Sequence, residues 1–204
     1  MDNYKNKYRI PSARLQSWDY RWNAAYFITI CTHNREHYFG KINNVKMELS
    51  PIGILADVFW HEIKNHAKNI ELGKFVVMPN HVHGVLILNN DDNRNDIGND
   101  NDNGNVETRH ALSLPSPPSQ PSQPPQQQKT IGQKRFQNQG KNTVSSIIGS
   151  YKSAVTKHAH RLNHEFKWQS RFYDHIIRND KLFIKISEYI LNNPINWLED
   201  KFYK

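Results

Sequence analysis

At 204 residues with 37% hydrophobic content, the chain can hold one ordinary domain but is too polar for all of its length to be packed. A formal charge of +8 and a pI near 9.5 suit a polyanionic partner, nucleic acid being the commonest. One cysteine, Cys31, excludes an intrachain disulfide and a cysteine-based zinc finger, and no apolar run approaches the roughly 20 residues that span a bilayer. The opening MDNYKNKYRI carries no signal-peptide pattern, so a soluble protein of a reducing cytoplasm, without a membrane partner, is expected.

The chain begins with a basic arm, KNKYRIPSARLQSWDYRW, in which Lys5, Lys7, Arg9, Arg14 and Arg21 alternate with Tyr4, Tyr8, Trp18, Tyr20 and Trp22. Cations interleaved with aromatic rings are what single-stranded nucleic acid requires of a surface. AYFITICTHN follows as a strand, with Tyr26, Ile28 and Ile30 on one face. SPIGILADVFWHEIKNHA reads as a helix with Ser50 as N-cap and Pro51 in the first turn; Ile54, Val58 and His61 or Ile63 give its apolar spacing. ELGKFVVMPN and HVHGVLILN are two strands meeting at the turn pair Pro79-Asn80.

Residues 90–141 are dominated by Asn, Asp, Ser, Pro and Gln and have too little apolar surface to offset the entropy of ordering. They read as a disordered low-complexity insert within a single domain that spans residues 1–204, since neither flank is self-sufficient. The stretch 89–128 holds six acids but only two bases, so the remainder carries 25 basic and 13 acidic residues. After the insert, NTVSSIIGSYKSAVTKHAHRL places Val144, Ile147, Ile148, Tyr151 and Val155 at helical spacing, with Lys152, Lys157, His158, His160 and Arg161 on its later, polar side. FKWQSRFYDHIIR is an irregular segment leading into a strand. DKLFIKISEYILNNP is a helix capped by Asn179 or Asp180, carrying Leu182, Ile186, Tyr189 and Ile190, and stopped by Pro194. Hairpins mixed with helices predict an α+β fold: a ferredoxin-like (RRM-like) antiparallel sheet with helices packed on one face.

The chemistry concentrates at His81 and His83. Residues i and i+2 of a strand share a face, so the two imidazoles stand side by side, where they could share a metal ion or a phosphate. The bland alternative is a pair of partly exposed histidines on the open side of the sheet. Tyr151, Tyr173 and Tyr189 offer phenols. Tyr189 and Asn193 are four residues apart and share a helical face, so together they could present a hydroxyl and an amide oxygen toward the histidines. Tyr151, beside Lys152, could contact phosphate, and Tyr173, with Arg171 and Phe172, could form a second DNA patch.

These pieces resemble the REP-associated tyrosine transposases, relatives of the single-strand insertion-sequence transposases in the HUH nuclease superfamily. The similarity is carried by His-Val-His after a strand, by WQSRFYDHIIR, by EYILNNPINW closing a helix, and by the opening AYFITICTHNREHYFG; it covers about residues 8–89 and 142–198. The resemblance implies that His81 and His83 hold a divalent cation, Mg2+ or Mn2+. It makes Tyr189 the nucleophile that forms a 5′-phosphotyrosine, and Asn193, where insertion-sequence relatives often carry glutamine, the third ligand. The implied partner is single-stranded or hairpin DNA of the REP type, bound by a monomer or a homodimer. An HUH relaxase or replication-initiator nickase, and a catalytically idle nucleic-acid-binding module of the same fold, are the competing expectations. Arg9, Arg14, Arg21, Lys152, Arg171 and Tyr173 are the candidate DNA contacts.

Overall fold

The computed structural model describes residues 18, 20, 22–89, 143–162 and 164–203. Arg9, Arg14 and Arg21 of the basic arm, and the insert at 90–141, lie outside the described residues. Strand β1 (Ala24–Cys31) leads to a short hairpin, β2 (Gly40–Asn43) and β3 (Lys46–Leu49), then to helices α1 (Pro51–His61) and α2 (Ile63–His66). Strands β4 (Ile70–Met78) and β5 (His81–Leu88) follow, and after 143 come α3 (Val144–Arg161), β6 (Tyr173–Ile177) and α4 (Asp180–Asn192).

The main sheet has the order β4-β5-β1-β6, antiparallel throughout. Counting only its own strands, the first in sequence lies between the third and the fourth, and the second is at the far edge. This is the ferredoxin-like arrangement. The two chemistry-bearing histidines therefore sit on a central strand, where hydrogen-bonded neighbours on both sides fix their direction.

The alternation along β1 divides the protein into two layers. Tyr26, Ile28 and Ile30 face α1 and α3, in a core with Val82, Leu86, Trp60, Ile148 and Tyr151. This is the helix layer expected on one face. On the opposite face α4 lies across Ala25, Val85, Ile87 and Ile177 through Ile190, with Leu182, Phe183 and Ile186 packed alongside. The histidines belong to this second face. Register pairs Thr29 with His83 and Cys31 with His81, so the odd-numbered residues of β1 and β5 point the same way.

Ser50 caps α1 by accepting from Gly53 N–H, and Pro51 opens it, as read from the sequence. Its buried face differs from the expected one. Ile54 and Val58 are exposed, and Ile52, Ala56 and Trp60 are inside, while Ile63, one of the expected positions, is buried at the start of α2. Trp60 decides the rotation: its ring stacks on Phe75 at 4.5 Å and meets Tyr151 edge-on, burying more surface than either aliphatic could. The β2–β3 hairpin was not foreseen. Its two-residue turn has Asn44 and Val45 at positive φ, and valine is not a turn signal there. Thr143 and Ser146 cap α3 reciprocally, and Asn179 caps α4 through Leu182 N–H.

Candidate active site

His81 and His83 are fully buried, which overturns the reading of two half-exposed residues on an open sheet face. The cover comes from α4 and from the segment after it, where Trp197 and Phe202 pack with Cys31 and Met78. The Phe202 ring lies 4.5 Å from that of His81.

Each imidazole is oriented through Nδ1. Asn80 donates its amide nitrogen to the carbonyl of Phe202 at 2.8 Å, which fixes its side-chain oxygen toward His81 Nδ1 at 2.9 Å. An oxygen there can only accept, so His81 carries its proton on Nδ1 and presents a bare lone pair at Nε2. His83 Nδ1 is paired with Thr29 Oγ1 at 2.9 Å, and its Nε2 faces the hydroxyl of Tyr189 at 3.2 Å. Burial holds His81 down to about 3, helped by the positive charges of Lys201 and Arg35. Burial, then repulsion from His81, holds His83 well below the usual histidine range. Both are therefore neutral at physiological pH.

The folded protein resists protonating His81 until about pH 3, whereas an unfolded histidine takes a proton near 6.5. Between those values the unfolded state binds more protons, so stability falls as pH is lowered. The contribution is complete above about 6.5 and is lost toward 3. At pH 5 the loss from His81 is about 2 kcal/mol. Thermal unfolding in chelator should show a lower Tm at pH 5 than at pH 7, with a smaller drop in His81→Asn. Equal drops in the two proteins would show that His81 carries no such penalty.

Tyr189 and Asn193 arrive together from α4 and its C-cap, as their spacing requires. The Tyr189 side chain is 41% exposed, so its ring stands at the mouth while its oxygen points inward. A residue that sequence reasoning missed completes the group. Asp200 Oδ2 lies 3.4 Å from Tyr189 Oη and accepts from the Asn193 amide nitrogen at 3.0 Å, while Oδ1 accepts from Phe202 N–H at 2.7 Å. Burial, then the charge of Asp200, pushes the Tyr189 phenol up to about 12.

Among the described residues, His81, His83 and Asp200 form a set whose ligand atoms lie within 4.8 Å of one another. The donor set fits a divalent cation. His81 Nε2 and Asn193 Oδ1, neighbouring groups, are both buried with no hydrogen-bond partner. Two acceptors with no proton between them are costly in a dry interior, and a cation satisfies both. Two neutral imidazoles and a carboxylate could hold a metal ion. Asn193 Oδ1 is thus a buried oxygen without a partner, and the Asn193 amide nitrogen is tied to Asp200.

The other candidates are placed differently. Tyr151 is buried and donates to the carbonyl of Ala56 at 3.0 Å, so it belongs to the α1–α3 core and cannot meet a phosphate. Lys152 donates to the carbonyls of Gln169 and Ser170, bracing the segment before β6. Arg171 is exposed just before β6, and Tyr173 is exposed at its start.

No helix among the described residues is long and apolar enough to cross a membrane. No family model matches the chain. Among solved structures, a REP-associated tyrosine transposase bound to a REP hairpin is similar over 97% of this chain and 74% of that one, with a TM-score of 0.49 and 17% identity. In sequence, the chain is 34% identical over 194 residues to an uncharacterized protein of Haemophilus influenzae, covering 94% of this chain and 92% of the other. A match of that identity over nearly the full length of both proteins means that the chain belongs to the same family as the Haemophilus influenzae protein.

Proposed function

We propose that this chain is a metal-dependent single-strand DNA endonuclease and strand transferase that uses Tyr189 as its nucleophile. One observation carries the reading: a half-exposed phenol is held 3.2 Å from the second of two buried, neutral histidines, beside a His81 Nε2 and an Asn193 Oδ1 that are buried without hydrogen-bond partners. The basic composition and the sequence resemblance described above support DNA, specifically REP-type hairpins, as the substrate.

The phenol, pushed up to about 12, is protonated at neutral pH, so attack requires an acceptor for its proton. Asp200 Oδ2, 3.4 Å from the phenol oxygen, is the base within reach when His83 Nε2 is given to a metal. In the reaction the Tyr189 oxygen bonds to phosphorus, the phosphorus–O3′ bond breaks, the phenolic proton passes to the base, and the departing 3′ oxygen takes a proton from solvent water to leave as a hydroxyl. A bound Mg2+ or Mn2+ on His81, His83 and the Asp200 or Asn193 oxygen would supply Lewis-acid polarisation of the phosphate. The resulting 5′-phosphotyrosine keeps the phosphodiester bond energy, so the free 3′-hydroxyl can reverse the step and join strands without ATP.

Incubation with labelled hairpin DNA and Mn2+, followed by denaturing electrophoresis, tests the reading. A protein-linked strand is expected; cleavage with no linked strand would replace Tyr189 with water as the attacking group. Residues 90–141 are not required by this chemistry. Replacing them with a short Gly/Ser linker should leave cooperative unfolding and adduct formation unchanged, and a loss of soluble protein would show that the insert packs.

A further inference from the structure

Beside the candidate centre, the sheet face carries a row of side chains that the chemistry above does not use. Thr29 is paired with His83 on one side and with Tyr173 on the other, and Phe27 is paired with Val85 on one side and with His175 on the other. Directly paired residues share a face, so Tyr173 and His175 extend the histidine-bearing face to the β6 edge. Phe27 links them to the centre: its ring lies 5.1 Å from that of His83 and 6.1 Å, edge-on, from that of Tyr189. Tyr173 is 52% exposed and His175 is exposed, although Ile177 on the same strand is buried under α4. The helix therefore covers one end of β6 and leaves two rings open at the other.

An edge strand that shows adjacent rings to solvent gains nothing for the core. What those rings offer is π-surface, two strands away from His83. The cations Arg171 and Arg178 stand exposed at the two ends of β6, and Lys181 and Lys185 of α4 are also exposed. Flat rings bracketed by cations complement a single strand, whose bases stack and whose phosphates are negative.

We infer that Tyr173 and His175, continued by Phe27, form a base-stacking platform that seats a nucleotide next to the phosphate presented to Tyr189. This inference rests on the single-strand DNA reading above and adds to it the surface that holds the strand. Stacking of this kind is tolerant of sequence, so a plain oligonucleotide is a sufficient probe.

The full-length protein is titrated in chelator into a fluorescein-labelled 12-mer of thymidine, and into the same 12-mer with one central 2-aminopurine. Wild type should bind and quench the 2-aminopurine. Tyr173→Ala and His175→Ala should each weaken binding by about tenfold and relieve the quenching, and Tyr173→Phe should behave as wild type. Unfolding midpoints should be nearly unchanged in all three, because both side chains are exposed. Wild-type-like binding and quenching in the alanine variants would overturn the platform, as would a wild-type protein that does not bind the 12-mer. The adduct assay separates the two readings. Adduct formation with unaffected alanine variants removes the platform and leaves the nuclease. Stacking lost in those variants, with no adduct from wild type, removes the nuclease and leaves the platform.

Discussion

Tyr189→Phe should reduce the covalent protein–DNA adduct by about three orders of magnitude or more while DNA and Mn2+ still bind. The substitution deletes one oxygen and keeps the ring, so the edge contact with Phe27 and the packing of α4 through Ile190 survive. His81→Ala and His83→Ala should act differently, removing a proposed ligand and leaving Asn80 or Thr29 without its buried partner. Mn2+ affinity and adduct should then fall together, with DNA affinity mostly kept by the basic surface. Asn193→Ala and Asp200→Ala should each weaken Mn2+ binding, which titration calorimetry reads without reference to activity. Tyr151→Phe and Tyr173→Phe are the controls, and both should form adduct. An adduct that persists in Tyr189→Phe and disappears in a control would move the nucleophile to that residue.

Gly84→Ala should destabilise the protein by about 3 kcal/mol, a large effect for one methyl group. A Cβ at this position would stand 2.2 Å from Cζ2 of Trp60 and 2.6 Å from Cη2. The indole cannot retreat, because Phe75 is stacked on it with planes 6° apart and Tyr151 stands against it edge-on. The strand has to move instead, and the residue before Gly84 is His83. Mn2+ affinity should therefore fall along with the unfolding midpoint. Gly84→Ala combined with Trp60→Phe should recover part of both, as expected for two residues in direct contact. Gly149, on α3 with open space around it, is the comparison: Gly149→Ala should stabilise by about 0.5–1 kcal/mol. An unfolding midpoint in Gly84→Ala equal to wild type would show that the α1 layer yields easily.

Local pattern carried much of this arrangement. Alternation put His81 and His83 on one face, helical spacing put Tyr189 and Asn193 on another, and the apolar stripe of α3 from Val144 to Val155 is buried as read. The face of α1 could not be read in the same way, because Ile54 and Val58 fit the period as well as Ile52 and Ala56 do. Only the Trp60–Phe75 stack, a contact between distant segments, settles the choice. Tyr151 looked like a phosphate contact because of Lys152, yet the helix turns these two neighbours in different directions. Asp200 was illegible for another reason. It lies past the last helix in a segment without periodicity, and only the return of the chain over His81 gives the carboxylate a role.

The bonds that orient the centre also set when it can exist during folding. Thr29 and His83 are 54 positions apart, Tyr189 and His83 are 106 apart, and Asn80 and Phe202 are 122 apart. Loop closure over such separations comes late, after the local hairpin of β4 and β5 and the helices have formed. Until the segment around Phe202 docks, the Asn80 amide is free to turn and His81 has no fixed tautomer. The two imidazoles therefore take their final orientation only when the fold is complete, and a partly folded chain would carry the residues of the site without its geometry.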